Sequence, residues 1–255
     1  CVTSSSAPCP TGLWISSLCD STVKGKPDTE LVDLTARLQT VSQILDVTTK
    51  PIVFDMDTGG MLEHFVYNIA TIEKAGVSAV IIEDKTGLKR NSLFGTSVEQ
   101  HKESIDNFCE KIRAGKSVIK SGNFMLIARI ESLILKQGLE DALARAMAYV
   151  EAGADGIMLH SKETSPQEVF AFCGQFRAVD PVTPIVAVPT TYCSVTEEEL
   201  LARGVNMVIY ANQLLRASYP MMEKTARSIL EHHRALESED MCMSIKHILA
   251  LIEAL

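Results

Sequence analysis

The residues with the greatest chemical reach are acidic, and they close short apolar runs. Asp55 and Asp57 end PIVFDMD. Their two-residue spacing sends both side chains to one face of an extended strand. Glu83 ends VSAVIIE. Three carboxylates with no His or Cys among them form an oxygen-only donor set. Such a set suits a hard cation such as Mg²⁺, which keeps several waters and takes one or two carboxylates directly. The ordinary alternative is a repelling cluster neutralised by Lys85 or Arg129. Other apolar runs finish in Ser16-Ser17, Arg129 and Glu131, His160-Ser161-Lys162, Thr190-Thr191 and Asn212, while the starts of the runs show no such bias. Any one of these could merely cap a loop; together they describe a convergent polar site.

The segment EDKTGLKRNSLFG carries Lys85, Lys89, Arg90, Asn91 and Ser92, with Gly87 and Gly95 spaced like hinges. A cationic, amide-rich loop following a strand reads as a lid over a phosphorylated substrate, or else as a solvated basic loop. His160 follows the apolar GIML and could equally be a satisfied core histidine. His232-His233, between Glu231 and Arg234, read as a solvated helix face. Asp28, in GKPDTE, reads locally as a helix N-cap.

These residues need strands and helices to position them. Strand-like runs cover Leu13–Leu18, Pro51–Asp57, Val77–Asp84, Phe124–Ile130, Gly156–His160, Pro184–Pro189 and Asn206–Ala211. Several are near-continuous and β-branched, as parallel strands buried on both faces are. Helix-like stretches cover Thr29–Ile44, Leu62–Ala75, Ser97–Ala114, Gly138–Ala152, Pro166–Arg177 and Glu197–Ala202, followed by Gln213–Ala235 and Met243–Ala254. KAGVSAVIIED, EAGADGIMLH and ARGVNMVIYA repeat one grammar: helix, glycine, strand. The alternation predicts a (β/α)₈ TIM-type barrel with seven strands visible and the first absent from the sequence. An open doubly wound sheet is the structural alternative, but no GxGxxG follows any strand.

The 255 residues are 46% hydrophobic and carry a net charge of −8, which supports one large core and argues against a nucleic-acid binder. Seven cysteines at 1, 9, 19, 109, 173, 193 and 242 have no CxxC spacing and predict reduced thiols in the cytoplasm. No apolar run approaches the ~20 residues of a membrane span. The opening CVTSSSAPCP has neither the basic region nor the apolar stretch of a secretory signal.

Glu83-Asp84-Lys85, five residues, then Asn91-Ser92 resembles the EDKxxxxxNS signature of the phosphoenolpyruvate mutases, within the isocitrate lyase superfamily. The likeness continues through SSLCDSTVKGKPD, FDMDTGG, ARIES, ADGIMLHSK, VPTTY and VIYANQLLRAS. It makes 12–255 one barrel domain with C-terminal helices that swap between subunits, and leaves 1–11 unmatched. The resemblance implies an isomerase that interconverts phosphoenolpyruvate and phosphonopyruvate with Mg²⁺, working as a homodimer or homotetramer. It implies that Asp55, Asp57 and Glu83 serve the metal, one or more through water. Ser17 and Leu18 would supply backbone N–H groups to the substrate carboxylate, with Ser16 also binding substrate and Trp14 lining the pocket. Arg129 would hold the substrate's anionic end, and His160 would hydrogen-bond near the bridging oxygen. Lys89, Asn91 and Ser92 would belong to the lid, with Asn91 reaching the phosphoryl group, and Asp28 would stand beside the reacting phosphorus. Ser17 occupies a position where these mutases often carry Gly, which preserves a backbone donor and narrows the clearance. The expectations kept beside it are a phosphonopyruvate hydrolase, a carbon–carbon lyase and an inactive barrel subunit. Asn91 favours the mutase over the hydrolase. The absence of a Cys between Cys19 and Cys109 disfavours the lyase.

Overall fold

A computed structural model describes residues 2–3, 11–87 and 89–251. Its sheet holds seven parallel strands in chain order: β2 (Leu13–Ile15), β3 (Ile52–Asp55), β4 (Ala79–Glu83), β5 (Met125–Ile130), β6 (Gly156–Leu159), β7 (Ile185–Ala187) and β8 (Met207–Ile209). All seven lie where the apolar runs place them. Helices α1 (Ser17–Val23), α2 (Leu34–Leu45), α3 (Leu62–Lys74), α4 (Ile105–Val118), α5 (Gly138–Glu151), α6 (Gln167–Val179) and α7 (Glu197–Ala202) alternate with them. This is a nearly closed TIM-type (β/α) barrel.

Helices α2 and α4 begin at Leu34 and Ile105, later than the stretches read from Thr29 and Ser97, and two details of the sheet also correct the sequence reading. The sheet has an eighth member, β1 (Val2–Thr3), which pairs antiparallel with β8 through Val2↔Ile209 and Thr3↔Val208. It lies inside the segment left unmatched. Secondly, the run read as a strand to Leu18 ends at Ile15. Ser16 caps α1 instead, its side chain accepting from the Cys19 N–H at 3.4 Å, and Ser17 and Leu18 form the first helical turn.

The turns explain why helices hand over to strands so abruptly. Gly76, Gly153 and Gly204 follow the ends of α3, α5 and α7 with φ of 89°, 106° and 85°, a backbone that L-residues with a Cβ rarely adopt. Strands then alternate between two apolar layers. Val53, Ala79, Ile81, Ile127, Met158 and Val186 fill the barrel interior. Ile52, Phe54, Val80, Ile82, Leu126 and Ile157 pack outward against the helices. The period of two continues past the apolar residues. It therefore assigns Asp55, Asp57, Glu83, Arg129, Glu131 and His160 to the interior row at the C-terminal mouth.

The chain divides into two compact units, 1–211 and 212–255. The second holds α8 (Gln213–His232) and α9 (Ile245–Leu251). The predicted helix to Ala254 extends beyond the described residues. Among those residues no helix is long and apolar enough to cross a membrane.

Candidate active site

The mouth of the barrel collects ten ionisable groups whose pairing is uneven. Asp55 and Asp57 leave β3 toward the interior and are buried. Asp55 Oδ2 accepts from Ser17 Oγ at 3.0 Å and from the Ser17 N–H at 3.3 Å. Burial opposes its ionisation, but Lys89, Arg129 and Arg37 outweigh burial and pull its pKa down to about 2. Asp57 has the left-handed φ of 54°. Burial and the neighbouring Asp55 charge push its pKa up, against Lys89 and Arg37.

Glu83 is 1% exposed. Its oxygens face Lys85 Nζ at 3.2 Å and Arg129 Nη2 at 3.0 Å, yet neither receives a well-aligned hydrogen bond. Burial raises its pKa to about 7 despite the two cations. Arg129 also donates from Nε to Glu131 Oε1 at 2.6 Å and from Nη2 to Ser92 Oγ. Burial works against the Arg129 charge, but Glu131, Glu83 and Asp55 raise its pKa.

His160 Nδ1 lies 3.2 Å from Glu131 Oε1. Arg129 and His160 outweigh burial at Glu131 and hold it well below the usual carboxylate range, so it can only accept. Nδ1 therefore carries hydrogen and Nε2 is left over. Burial and the Arg129 charge lower the pKa of His160, which keeps the free ring neutral.

The flap brings in the remaining cations. Lys89 is 4% exposed, and its Nζ stands 2.5 Å from Asp57 Oδ1, 3.2 Å from Asp28 Oδ1 and 3.8 Å from Asp55 Oδ2, besides donating to Ser17 Oγ. Four carboxylates more than offset its burial and raise its pKa, so it stays charged. Asn91 Nδ2 donates to Asp28 Oδ2 at 3.3 Å, while its Oδ1 accepts from the Leu93 N–H. Asp28, read locally as an N-cap, thus meets two flap side chains; the cap of α2 is Asp33.

The sequence-derived residues are brought together with differences in detail. Ser92 Oγ is engaged by Arg129 and by Lys85 at 3.1 Å. The Ser17 N–H is taken by Asp55. Trp14 packs on the interior cluster with its Nε1 buried and without a partner. Three groups were overlooked as site residues. Glu131 orients both Arg129 and His160. Lys85 pins the flap through Arg90 O at 2.7 Å and Gln100 Oε1 at 2.9 Å. Arg37 reaches Asp57 from α2 at 3.4 Å. Glu131 and Lys85 gave a signal, each by its place at a strand end, and Arg37 gave none.

Among the described residues no three His, Cys, Asp or Glu side chains stand close enough together to chelate a metal by themselves. The residues nonetheless fit a hard cation that keeps waters. Asp55 is ionised, and Asp57 Oδ1 and both Glu83 oxygens are buried without aligned hydrogen bonds.

A loop-covered polar cup at the C-terminal mouth puts the molecule among the (β/α)-barrel enzymes that act on small anions. The chain belongs to the phosphoenolpyruvate phosphomutase family, whose model matches residues 5–230. A phosphoenolpyruvate phosphomutase of Tetrahymena pyriformis is 36% identical over 241 residues, covering 94% of this chain and 79% of the relative. The crystal structure of such a protein from Streptomyces platensis subsp. rosaceus has a TM-score of 0.88 at 36% identity, over 95% of this chain and 83% of that one. A phosphonopyruvate hydrolase solved with oxalate and Mg²⁺ has a TM-score of 0.85 at 31% identity, over 95% and 82%.

Proposed function

We propose that the chain interconverts phosphoenolpyruvate and phosphonopyruvate, with Mg²⁺ held by Asp55, Asp57 and Glu83, in part through water. The observation that carries this is the meeting of Lys89 and Asn91 from the flap on Asp28, over the carboxylates of β3. Two flap donors and a buried Arg129 make one cup for a small polyanion.

The reaction breaks the bond between phosphorus and the enol oxygen and forms a bond from phosphorus to the adjacent methylene carbon. No proton or co-reactant enters, so the atoms balance within one molecule. Transfers of this kind pass through a loose, metaphosphate-like state, and catalysis is positioning plus charge stabilisation. Arg129, fixed by Glu131, Glu83 and Ser92, offers a rigid fork to the phosphoryl oxygens. His160 donates from Nε2 only as an imidazolium, a state that a bound phosphoryl dianion stabilises. Asn91 turns its amide from Asp28 toward the phosphoryl group, and Asp28 orients that group or captures it transiently. The Leu18 N–H, with Ser16 beside it, receives the carboxylate at the start of α1, and the Ser17 N–H turns to it from Asp55. A bound Mg²⁺ would neutralise charge on the pyruvyl oxygens. The flap excludes water, which would otherwise take the phosphoryl group.

The hydrolase relative keeps a second reading in view, with water as the acceptor. Phosphorus NMR of phosphonopyruvate with Mg²⁺ separates them. A phosphoenolpyruvate signal is expected; free phosphate means a hydrolase, and an unchanged spectrum means a non-catalytic barrel.

The second unit leaves Leu214, Met222, Leu230, Ile245 and Leu249 exposed, which supports a homodimer or homotetramer. Cys19, Cys109, Cys173, Cys193 and Cys242 are free thiols, in keeping with a cytoplasmic setting.

A further inference from the structure

Arg37 is placed on α2, in the outer helix layer, yet it is only 5% exposed. Its guanidinium lies over the Phe54 ring, 4.2 Å from the centroid. From there Nη1 stands 3.4 Å from Asp57 Oδ2, Nη2 donates to the carbonyl of Ile15 at 3.3 Å, and Nε is 3.7 Å from Asp20 Oδ2. One planar group thus touches the end of β2, the turn after β3 and the first helix. Asp57 needs such support. Its left-handed backbone is a conformation that persists only when the surroundings over-determine it. The Glu83 N–H, bonded to Asp57 O at 2.8 Å, fixes the main chain. Arg37 fixes the carboxylate from the helix side, opposite the flap's Lys89.

We propose that Arg37 is a positioning residue, whose guanidinium sets the Asp57 carboxylate and the end of β2 in one register, so that the Ser16–Leu18 turn and the Asp55–Asp57 turn present a formed cation site. The inference rests on the reading of Asp57 as a metal-site residue. It acts through geometry rather than charge: stacking on Phe54 and the two terminal nitrogens, one on Asp57 and one on the Ile15 carbonyl, hold the group in a way a lysine ammonium cannot. Outer partners that orient a metal-site ligand typically contribute 10–100-fold to metal affinity.

The test is a calorimetric titration with MgCl₂, with the emission of Trp14, the single tryptophan, as a parallel readout. Arg37→Lys keeps the charge and loses the fork. It is expected to weaken Mg²⁺ binding roughly 10- to 100-fold, with kcat recovering at saturating Mg²⁺ and an unaltered thermal midpoint in EDTA. Wild-type Mg²⁺ affinity in folded Arg37→Lys overturns the proposal. Asp57→Asn separates the two readings. If it also binds Mg²⁺ like the wild type, the metal role of Asp57 falls and takes the Arg37 proposal with it; if it weakens binding while Arg37→Lys does not, Arg37 alone is wrong. Should Arg37→Lys fail to fold, Phe54→Leu removes the platform under the guanidinium. A smaller loss of Mg²⁺ affinity is then expected, and no loss overturns the proposal.

Discussion

Glu83 and Asp84 are neighbours on one strand end, equally buried, and they live in opposite kinds of surroundings. Asp84 points outward between strands and helices. Its Oδ1 accepts from the Glu131 N–H at 2.9 Å, and its Oδ2 from Arg145 at 3.0 Å and Tyr149 at 2.7 Å. Arg145 is tied in turn to the Glu103 carbonyl and to Asp141, which also takes Lys102 and Ser132. Every polar atom there has a task inside the fold. Glu83 points into the barrel and finds cations at ion-pair distance without one aligned hydrogen bond. A closed network specifies structure, whereas an open one of the same composition is costly and persists because something else uses it.

That contrast can be broken most severely at Glu83. Glu83→Gln is expected to lower kcat by roughly 10³-fold or more, at the upper end of single electrostatic contacts in active sites. Its thermal midpoint should stay level or rise, because a carboxyl whose pKa burial has raised to about 7 is replaced by a neutral group. A large drop in midpoint with kcat preserved would make Glu83 a structural residue like its neighbour. Arg145→Met should do the reverse. It leaves the Asp84 carboxylate buried without its cation, a loss of about 3–5 kcal/mol in stability, measurable by urea unfolding, with kcat per folded molecule retained. A smaller expected effect sits on the flap. Asn91→Ala should cut kcat on the order of 10²-fold, one lost transition-state contact, at an unchanged midpoint. Unchanged turnover removes the flap amide from the chemistry.

Part of this contrast was legible before any coordinates. The apolar runs placed seven strands and set Glu83 at the end of one, while the sorting of Glu83 from Asp84 came with the fold, where Ala79 and Ile81 share the row of one and Val80 and Ile82 that of the other. Local pattern failed where distant partners decide. A charged residue on an amphipathic helix such as α2 reads as solvated, and Arg37 is buried by Phe54, Asp57 and Ile15, all remote in sequence. Glu131 was visible at its strand end, but its orienting role depends on Arg129 and on His160 from another strand. The turn at Ser16 was masked by the continuity of Leu13–Leu18, and β1 is two residues pairing with the far end of the chain. Lys89 was legible as a flap cation, though not as the group that stands among Asp28, Asp55 and Asp57.

The central claim, that the open cluster at the barrel mouth holds a metal for phosphoryl transfer, is tested most directly by phosphorus NMR on a single sample. Phosphonopyruvate is followed with the purified protein in Mg²⁺, then after excess EDTA, then after Mg²⁺ is restored. Conversion to phosphoenolpyruvate that stops with the chelator and resumes with the ion is the predicted result; conversion at full rate throughout the EDTA interval contradicts it.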